Sequence, residues 1–520
     1  MENRQVPPRV NLISPAIISE SHILWAVKKI KSSLSAGHDS IPNHIIKGCI
    51  NPLLPVLTHI FNYSLLKGSY PKSWKKALVI PIPKKGNSHV ISNYRPISLL
   101  CGFAKLFDKI IQKHLYFNLV NKISSYQHGF ISSRSTNTNL FNYVNDLFNE
   151  VSYRGQIDTI FIDLQKAFDS VNHDILLNKL KLLGLNNKYL LWIKDYLTKR
   201  CFQVKIENKL SSVKNLNVGV PQGGNLSPLL FNCFIDDICQ TWSDCAGCKG
   251  LLFADDLKIY MSIKTLDDCS SLQQVLNKIN TWCLANRINI NFTKSVYMQS
   301  TRKRSLIEYI YTLNNLPLKK VATVKDLGIF IDEKLHFHEH IDYLIKYCKK
   351  IWFQILYITK YSSEYKQLIT LYITLIRSRL EYAAIVWNNL TNSDCIRIEY
   401  IQAKLYLKLN EKFGPRCLVE VKLNFLELRR KFLQAMFVFK TLLAKIDNVE
   451  LLNNLGLSTT LNSCRNKGLL TLINYNNVLH TVAINNYNIF RRYFLTFDSN
   501  NINNNNIRTI WKNLESRTIP

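Results

Sequence analysis

The sequence predicts an α/β fold, and three observations carry the prediction. Thr159-Ile160-Phe161-Ile162-Asp163-Leu164 is a β-branched and aromatic run with strand character and an acid at its end. After it, apolar residues at Val171, Ile175, Leu176, Leu180 and Leu183 recur at helical spacing, with Gly184 as a natural stop. Further on, the short apolar runs 250–253 and 257–261 flank Ala254-Asp255-Asp256, the pattern of a tight strand hairpin.

The other elements follow in chain order. Ile23, Leu24, Val27, Ile30 and Leu34 have helical spacing, so residues 1–63 read as a helical N-terminal extension. Gly219-Val220-Pro221-Gln222-Gly223-Gly224 is a glycine-rich loop in which backbone must approach something closely. Ser227 and Pro228 fit as the cap and first turn of the helix after it. The run 365–380 reads as a helix that is basic on one side, and Asn500–Asn506 is a low-complexity polar stretch expected to form a flexible loop. His336, His338 and His340 alternate without metalloprotease spacing and read as a solvated turn.

Composition narrows the function. The 520 residues are 47% hydrophobic, enough for real cores, and carry 67 Lys+Arg against 36 Asp+Glu, a net charge of +31. That excess, spread along the chain, favours a polyanionic partner bound in a groove built from several segments. No apolar run has the length needed to span a bilayer. The 13 cysteines show no disulfide rhythm, and the N-terminus lacks a signal-peptide core, which together point to a reducing intracellular compartment. Cys233, Cys239, Cys245 and Cys248 lack a paired second C-x-x-C and read as thiols rather than a zinc site.

Two adjacent carboxylates at a hairpin repel each other and lose hydration beside the sheet, and a divalent cation removes both problems. Asp163, at the end of its own strand, is the natural third ligand. Taken alone it could equally cap a helix. A strand-end acid plus a hairpin acid pair is what a two-metal phosphoryl-transfer site requires, with ions roughly 3.5–4 Å apart.

The order Asp163…Phe168-Asp169, Gly219-Val220-Pro221-Gln222-Gly223, Phe253-Ala254-Asp255-Asp256 resembles the palm motifs of reverse transcriptases, in the form found in non-LTR (LINE-type, jockey-like) retrotransposons. The flanking motifs agree. Ser35–Pro42 resembles the N-terminal extension of that family, and segments 68–75, 80–86, 93–100 and 127–136 resemble its fingers. Trp282, Asn286, Lys294 and Lys325–Ile329 match the last palm motifs, and Leu380-Glu381-Tyr382-Ala383, Trp387, Ile398-Glu399 and Gln402 the region beyond. The likeness covers nearly the whole chain.

The resemblance implies a right-hand polymerase. Its parts would be an extension (1–63), fingers and a palm of antiparallel sheet plus helices (64–332), and a helical thumb and C-terminal region (333–520). It implies RNA-directed DNA synthesis from deoxynucleoside triphosphates on an RNA template, from a DNA primer or nicked target DNA. Asp163, Asp255 and Asp256 would hold two Mg²⁺ ions, or Mn²⁺, and Lys294 would protonate the leaving pyrophosphate. Lys84, Lys85 and Arg95 would meet the triphosphate, since planar guanidinium binds phosphate oxygens in pairs. Phe168 would exclude a 2′-hydroxyl, and Gln222, Gly223 and Gly224 would contact the nascent pair and template. Leu327 and Gly328 would belong to the hairpin that grips the primer.

Two positions depart from the family pattern: Gly224 stands where serine is usual, and Ser227 where glycine is commoner. The chain begins almost at the extension, so a preceding endonuclease domain is expected to be lacking. A cytoplasmic ribonucleoprotein or the nucleus is the expected location. The alternative readings are another reverse-transcriptase branch, against which the Leu380–Ala383 and Trp387 region argues, and an inactive relic that binds RNA without catalysis.

Overall fold

The computed structural model describes residues 12–83, 89–421, 423–453, 455–457, 470–472 and 478–494. Lys84, Lys85 and the asparagine stretch 500–506 lie outside them.

A five-stranded sheet forms the centre, in the order Lys319–Lys320, Val296–Thr301, Gln156–Asp163, Asp256–Ser262, Cys248–Phe253. Its three long pairings are antiparallel, and the short edge strand Lys319–Lys320 runs parallel to its neighbour. The strand 156–163 is central and buried on both faces: Ile160 and Ile162 join one core, Ile157 the other. Such alternation is the direct consequence of the two-residue side-chain period. The first core unites the N-terminal helices with helices 102–119, 173–182, 187–197 and 227–235; the second unites helix Thr136–Ser152 with the helices beyond residue 337.

A second sheet carries Tyr94–Leu99, Lys76–Pro83 and Arg200–Ile206, the last two parallel. A separate two-stranded hairpin, Thr323–Asp326 with Ile329–Asp332, precedes helix His338–Ile358. Among the described residues, no helix is long and apolar enough to cross a membrane.

Several local expectations change. The first helix covers Glu20–Lys29, and Leu34 lies beyond it, exposed. Helix Ile50–Lys67 runs across residue 63. The basic run after Tyr365 is broken into an α-turn, a π-helical segment Tyr372–Arg377 and a last turn ending at Glu381. Its Arg377 is turned towards Glu381 at 3.6 Å, and Arg379 lies over the Tyr347 ring, so the basic face is thinner than the sequence suggests. The histidine run is not a solvated turn throughout. His340 falls on the buried face of the helix starting at His338, where Phe330 N–H donates to its Nδ1 at 3.4 Å, and burial lowers its pKa to about 4. His338 pairs with Asp394 at 2.7 Å, leaving only His336 fully in the role expected.

Candidate active site

The strand 156–163 and the strand 256–262 are in register so that Asp163 lies opposite Asp256. Asp256 in turn closes the hairpin with Phe253, leaving Ala254-Asp255 as the two-residue turn. Ala254 adopts φ 57, a left-handed conformation costly for an L-residue without support. The support comes from Gln127. Its Oε1 accepts hydrogen bonds from Ala254 N at 2.9 Å and Gly129 N at 2.8 Å. Leu252 O accepts from His128 N at 2.8 Å and from Asn139 Nδ2 at 3.1 Å. A Cβ on Gly129 would fall 2.4 Å from Ala254 N, so only glycine allows this strap to lie against the turn. Sequence reasoning singled out Gln127–Phe130 by resemblance but missed this bracing role.

The end of the Asp163 strand is clamped from the other side. Asp163 N donates to Ser295 Oγ at 3.2 Å, and Asn291 N donates to Asp163 O at 2.7 Å. The same turn carries Lys294, whose exposed ammonium stands 3.9 Å from Asp163 Oδ2.

These residues open on a cleft of about 180 Å³ whose lining includes Asp163, Asp256, Lys294, Lys325, Asp326 and Leu327. The lining also includes Lys258, which forms an ion pair with Asp326, both almost fully buried, and lies 4.6 Å from the centre of the Tyr143 ring. Lys258 tethers the hairpin 323–332 to the strand that carries Asp256. It was not anticipated from sequence: a lone lysine in an apolar run gives no hint of a partner 68 residues away.

The electrostatics favour a cation. Asp256 is reached by solvent, but the surrounding protein still strips much of its hydration. That desolvation, then Asp255, Asp326 and Asp163, push its carboxyl up to about 6, with Lys258 opposing. Asp255 is raised chiefly by burial and further by Asp163, against its own backbone hydrogen bond. Two carboxylates raised by burial and by neighbouring acids are relieved by positive charge beside them. Among the described residues, no three His, Cys, Asp or Glu side chains converge closely enough to hold a metal ion as they stand. Asp163, Asp255 and Asp256 share one end of the sheet, with Asp163 and Asp256 directly opposed.

Phe168, Gln222 and Arg95 are not among the residues that line this cleft. Phe168 is half-buried, stacked on Phe231 with ring centres 4.2 Å apart and met edge-on by Phe130. Gln222 Nε2 donates to Asp169 Oδ1 at 2.7 Å, and Gln222 O accepts from Ser98 N at 3.0 Å, which joins the glycine loop to the second sheet. Arg95 is exposed on that sheet, opposite Ile82, and does not line the aspartate cleft.

Ser227 does not cap its helix. It is the first helical residue, after Leu226, and its hydroxyl donates to Pro221 O at 2.7 Å instead. A Cβ at Gly224 would stand 3.0 Å from Ser227 Oγ, 3.1 Å from Tyr196 OH and 3.3 Å from Pro221 O. The two departures from the family pattern therefore occupy one space: the serine hydroxyl at 227 fills what a side chain at 224 would need. Cys233 and Cys239 are buried free thiols, with Cys245 and Cys248 partly exposed.

A strand-end aspartate thus faces an aspartate hairpin, with a lysine at its side. Residues 82–343, half of the chain, match the family Reverse transcriptase (RNA-dependent DNA polymerase), and the chain belongs to it. Enzymes of this family use divalent metals. The chain is 27% identical over 414 residues to the probable RNA-directed DNA polymerase from transposon BS of Drosophila melanogaster, covering 77% of this chain and 45% of that one. It is 30% identical over 323 residues to the RNA-directed DNA polymerase from mobile element jockey of the same organism, covering 61% and 35%. The jockey polymerase of Drosophila funebris gives 27% over 422 residues, covering 79% and 45%. The chain thus spans less than half the length of these curated relatives. Among solved structures, telomerase from Candida albicans with a telomeric RNA fragment aligns at TM-score 0.36 and 11% identity, over 71% of this chain and 65% of that one.

Proposed function

We propose that this chain is the RNA-directed DNA polymerase of a jockey-like non-LTR retrotransposon. It would extend a DNA primer or nicked target DNA on an RNA template with deoxynucleoside triphosphates. The observation that carries the reading is the pairing of Asp163 with Asp256 across the sheet, with Asp255 in the adjoining turn and Lys294 beside Asp163. In this reading, residues 64–332 are fingers and palm, 333–520 the thumb and C-terminal region, and 1–63 the extension.

Asp163, Asp255 and Asp256 would hold two Mg²⁺ ions, or Mn²⁺. When bound, these would activate the primer hydroxyl and neutralise charge on the leaving phosphates. The primer 3′-oxygen forms its bond to the α-phosphorus as the bond to the bridging oxygen breaks, releasing pyrophosphate. Lys294, exposed and close to Asp163, would give that group a proton. Phe168, its ring fixed on Phe231, would form the floor that excludes a 2′-hydroxyl. Arg95, with Lys84 and Lys85, would bind the triphosphate. Gln222, Gly223 and Gly224 would support the template, and Leu327 and Gly328 the primer. A net charge of +31 suits such polyanionic partners. The working location would be a cytoplasmic ribonucleoprotein or the nucleus.

The test is primer extension on an RNA template with Mg²⁺ and deoxynucleotides. Asp255→Asn should lower extension by about a thousandfold or more, several kcal/mol of lost charge stabilisation. Extension that survives this substitution sinks the assignment. Salt-sensitive RNA binding without any extension by the unsubstituted protein would instead establish a non-catalytic relic.

A further inference from the structure

We propose that Tyr382 is a positioning residue for the polymerase cleft, clasping the tip of the 323–332 hairpin through its hydroxyl. The inference rests on the polymerase reading above. Val324, Lys325, Asp326 and Leu327 form one wall of the cleft that contains Asp163, Asp256 and Lys294. Yet the hairpin is a separate two-stranded ribbon that does not pair with the central sheet. Isolated two-stranded ribbons are marginal; backbone bonds from Thr301 N to Glu333 O and from Val321 N to Tyr297 O tie the base of this one to the strand 296–301, and side-chain anchors hold the end that lines the cleft.

One anchor is Asp326, the last residue before the turn, which pairs with Lys258. The turn itself has the other. Leu327 and Gly328 turn through left-handed backbone, at φ 43 and 95. Tyr382 OH donates to Leu327 O at 2.7 Å, and its ring lies so close to Gly328 that a Cβ there would stand 3.3 Å from Cε1.

Tyr382 is itself held firmly. It follows the helical turn ending at Glu381, and Ala383 reverses the chain with φ 51. Tyr382 O accepts from Trp387 Nε1 at 2.9 Å, and Trp387 is wholly buried in the second core. Its neighbour Glu381 accepts from Arg429 Nη2 at 3.1 Å, fixing this corner to helix Leu426–Leu442. The Leu380–Ala383 motif therefore links the C-terminal helices to the cleft wall. A shift of those helices would move the surface against which a primer terminus rests.

Tyr382→Phe removes the hydroxyl and keeps the ring. In primer extension, the KM for primer–template should rise about three- to tenfold, the range one neutral hydrogen bond supplies, with kcat and the KM for deoxynucleotide little changed. In the free protein, hydrogen exchange should quicken in residues 323–332 and stay unchanged in 156–163 and 256–262. An unchanged KM for primer–template, or unchanged exchange in the hairpin, overturns the proposal. Should the unsubstituted protein fail to extend any primer, the polymerase reading falls, and hairpin exchange alone decides whether the clasp exists.

Discussion

The turn at Ala254-Asp255 and the turn at Leu327-Gly328 both use left-handed backbone at the edge of one cleft, but their supports differ in kind. The first closes two strands of the central sheet, and Gln127 satisfies its backbone directly. The second closes a two-stranded ribbon whose tip is held by side chains, Lys258 pairing with Asp326 and Tyr382 bonding Leu327. The acid-bearing turn is built as part of the rigid sheet, whereas the opposite wall is suspended between the sheet and the C-terminal helices. Rigid support suits groups that must hold metal geometry. A suspended wall suits a surface that must follow a moving duplex.

Breaking the Lys258–Asp326 anchor of the suspended hairpin should have the largest effect on stability. Lys258→Met leaves Asp326 buried without its partner, at a cost of about 3–5 kcal/mol. Adding Asp326→Leu should recover most of that loss, since an apolar pair can replace a buried ion pair with little penalty. Chemical denaturation of the single and double variants measures both. A double variant no more stable than the single one would mean that the pair does more than neutralise buried charge.

The contrast also explains which parts of the site were legible in the sequence. Asp163, Asp255 and Asp256 could be read because strand period and turn length are local properties, and the register then brings them to one sheet end. The anchors could not. Gln127 and Ala254 are 127 residues apart, and Tyr382 and Leu327 are 55 apart, and nothing local in either member announces the other. Ser227 was misread for a related reason. Serine before proline fits a helix cap, but the nearby Pro221 carbonyl competes for the hydroxyl. Helical spacing in 365–380 was real, yet period alone could not show the π-helical segment or the reversal at Ala383.

The sheet-borne turn can be tested by removing its brace. Gln127→Ala leaves the buried N–H groups of Ala254 and Gly129 without an acceptor, which should cost about 2–4 kcal/mol. Unlike Asp255→Asn, which should abolish extension without lowering the melting temperature, this variant should lose both. Equal stability to the parent would show that the register of strands 248–253 and 256–262 suffices to hold the turn.

A smaller effect is expected in the glycine loop. Gly224→Ser alone crowds Ser227 and Tyr196, and Ser227→Gly alone removes one of the two donors to Pro221 O, the other being Gly224 N at 3.0 Å. Together they move the hydroxyl from one side of the same space to the other, so the double variant should be better than the sum of the singles by about 1–2 kcal/mol. Strict additivity in a double-mutant cycle would show that the two positions are independent.

The smallest effect is electrostatic and centres on the sheet-borne turn, with Asp326 of the hairpin contributing. The Asp256 carboxyl, pushed up to about 6, binds its proton more tightly in the folded protein than in the unfolded chain. The stability this lends is fully present below the ordinary carboxylate range and is lost as pH rises through about 6. Asp255, also raised, acts in the same direction. Without divalent metal, the melting temperature should therefore fall between about pH 4 and pH 7, and Asp256→Asn should flatten that slope. Added Mg²⁺ should stabilise the parent most at the upper end of the range, where the carboxylates are ionised and free to bind it. The 323–332 hairpin provides the internal control. Tyr382→Phe should leave most of the pH slope in place, because burial and Asp255 raise Asp256 more than Asp326 does. A slope that disappears in Tyr382→Phe but survives in Asp256→Asn would reverse the division of labour between the two turns.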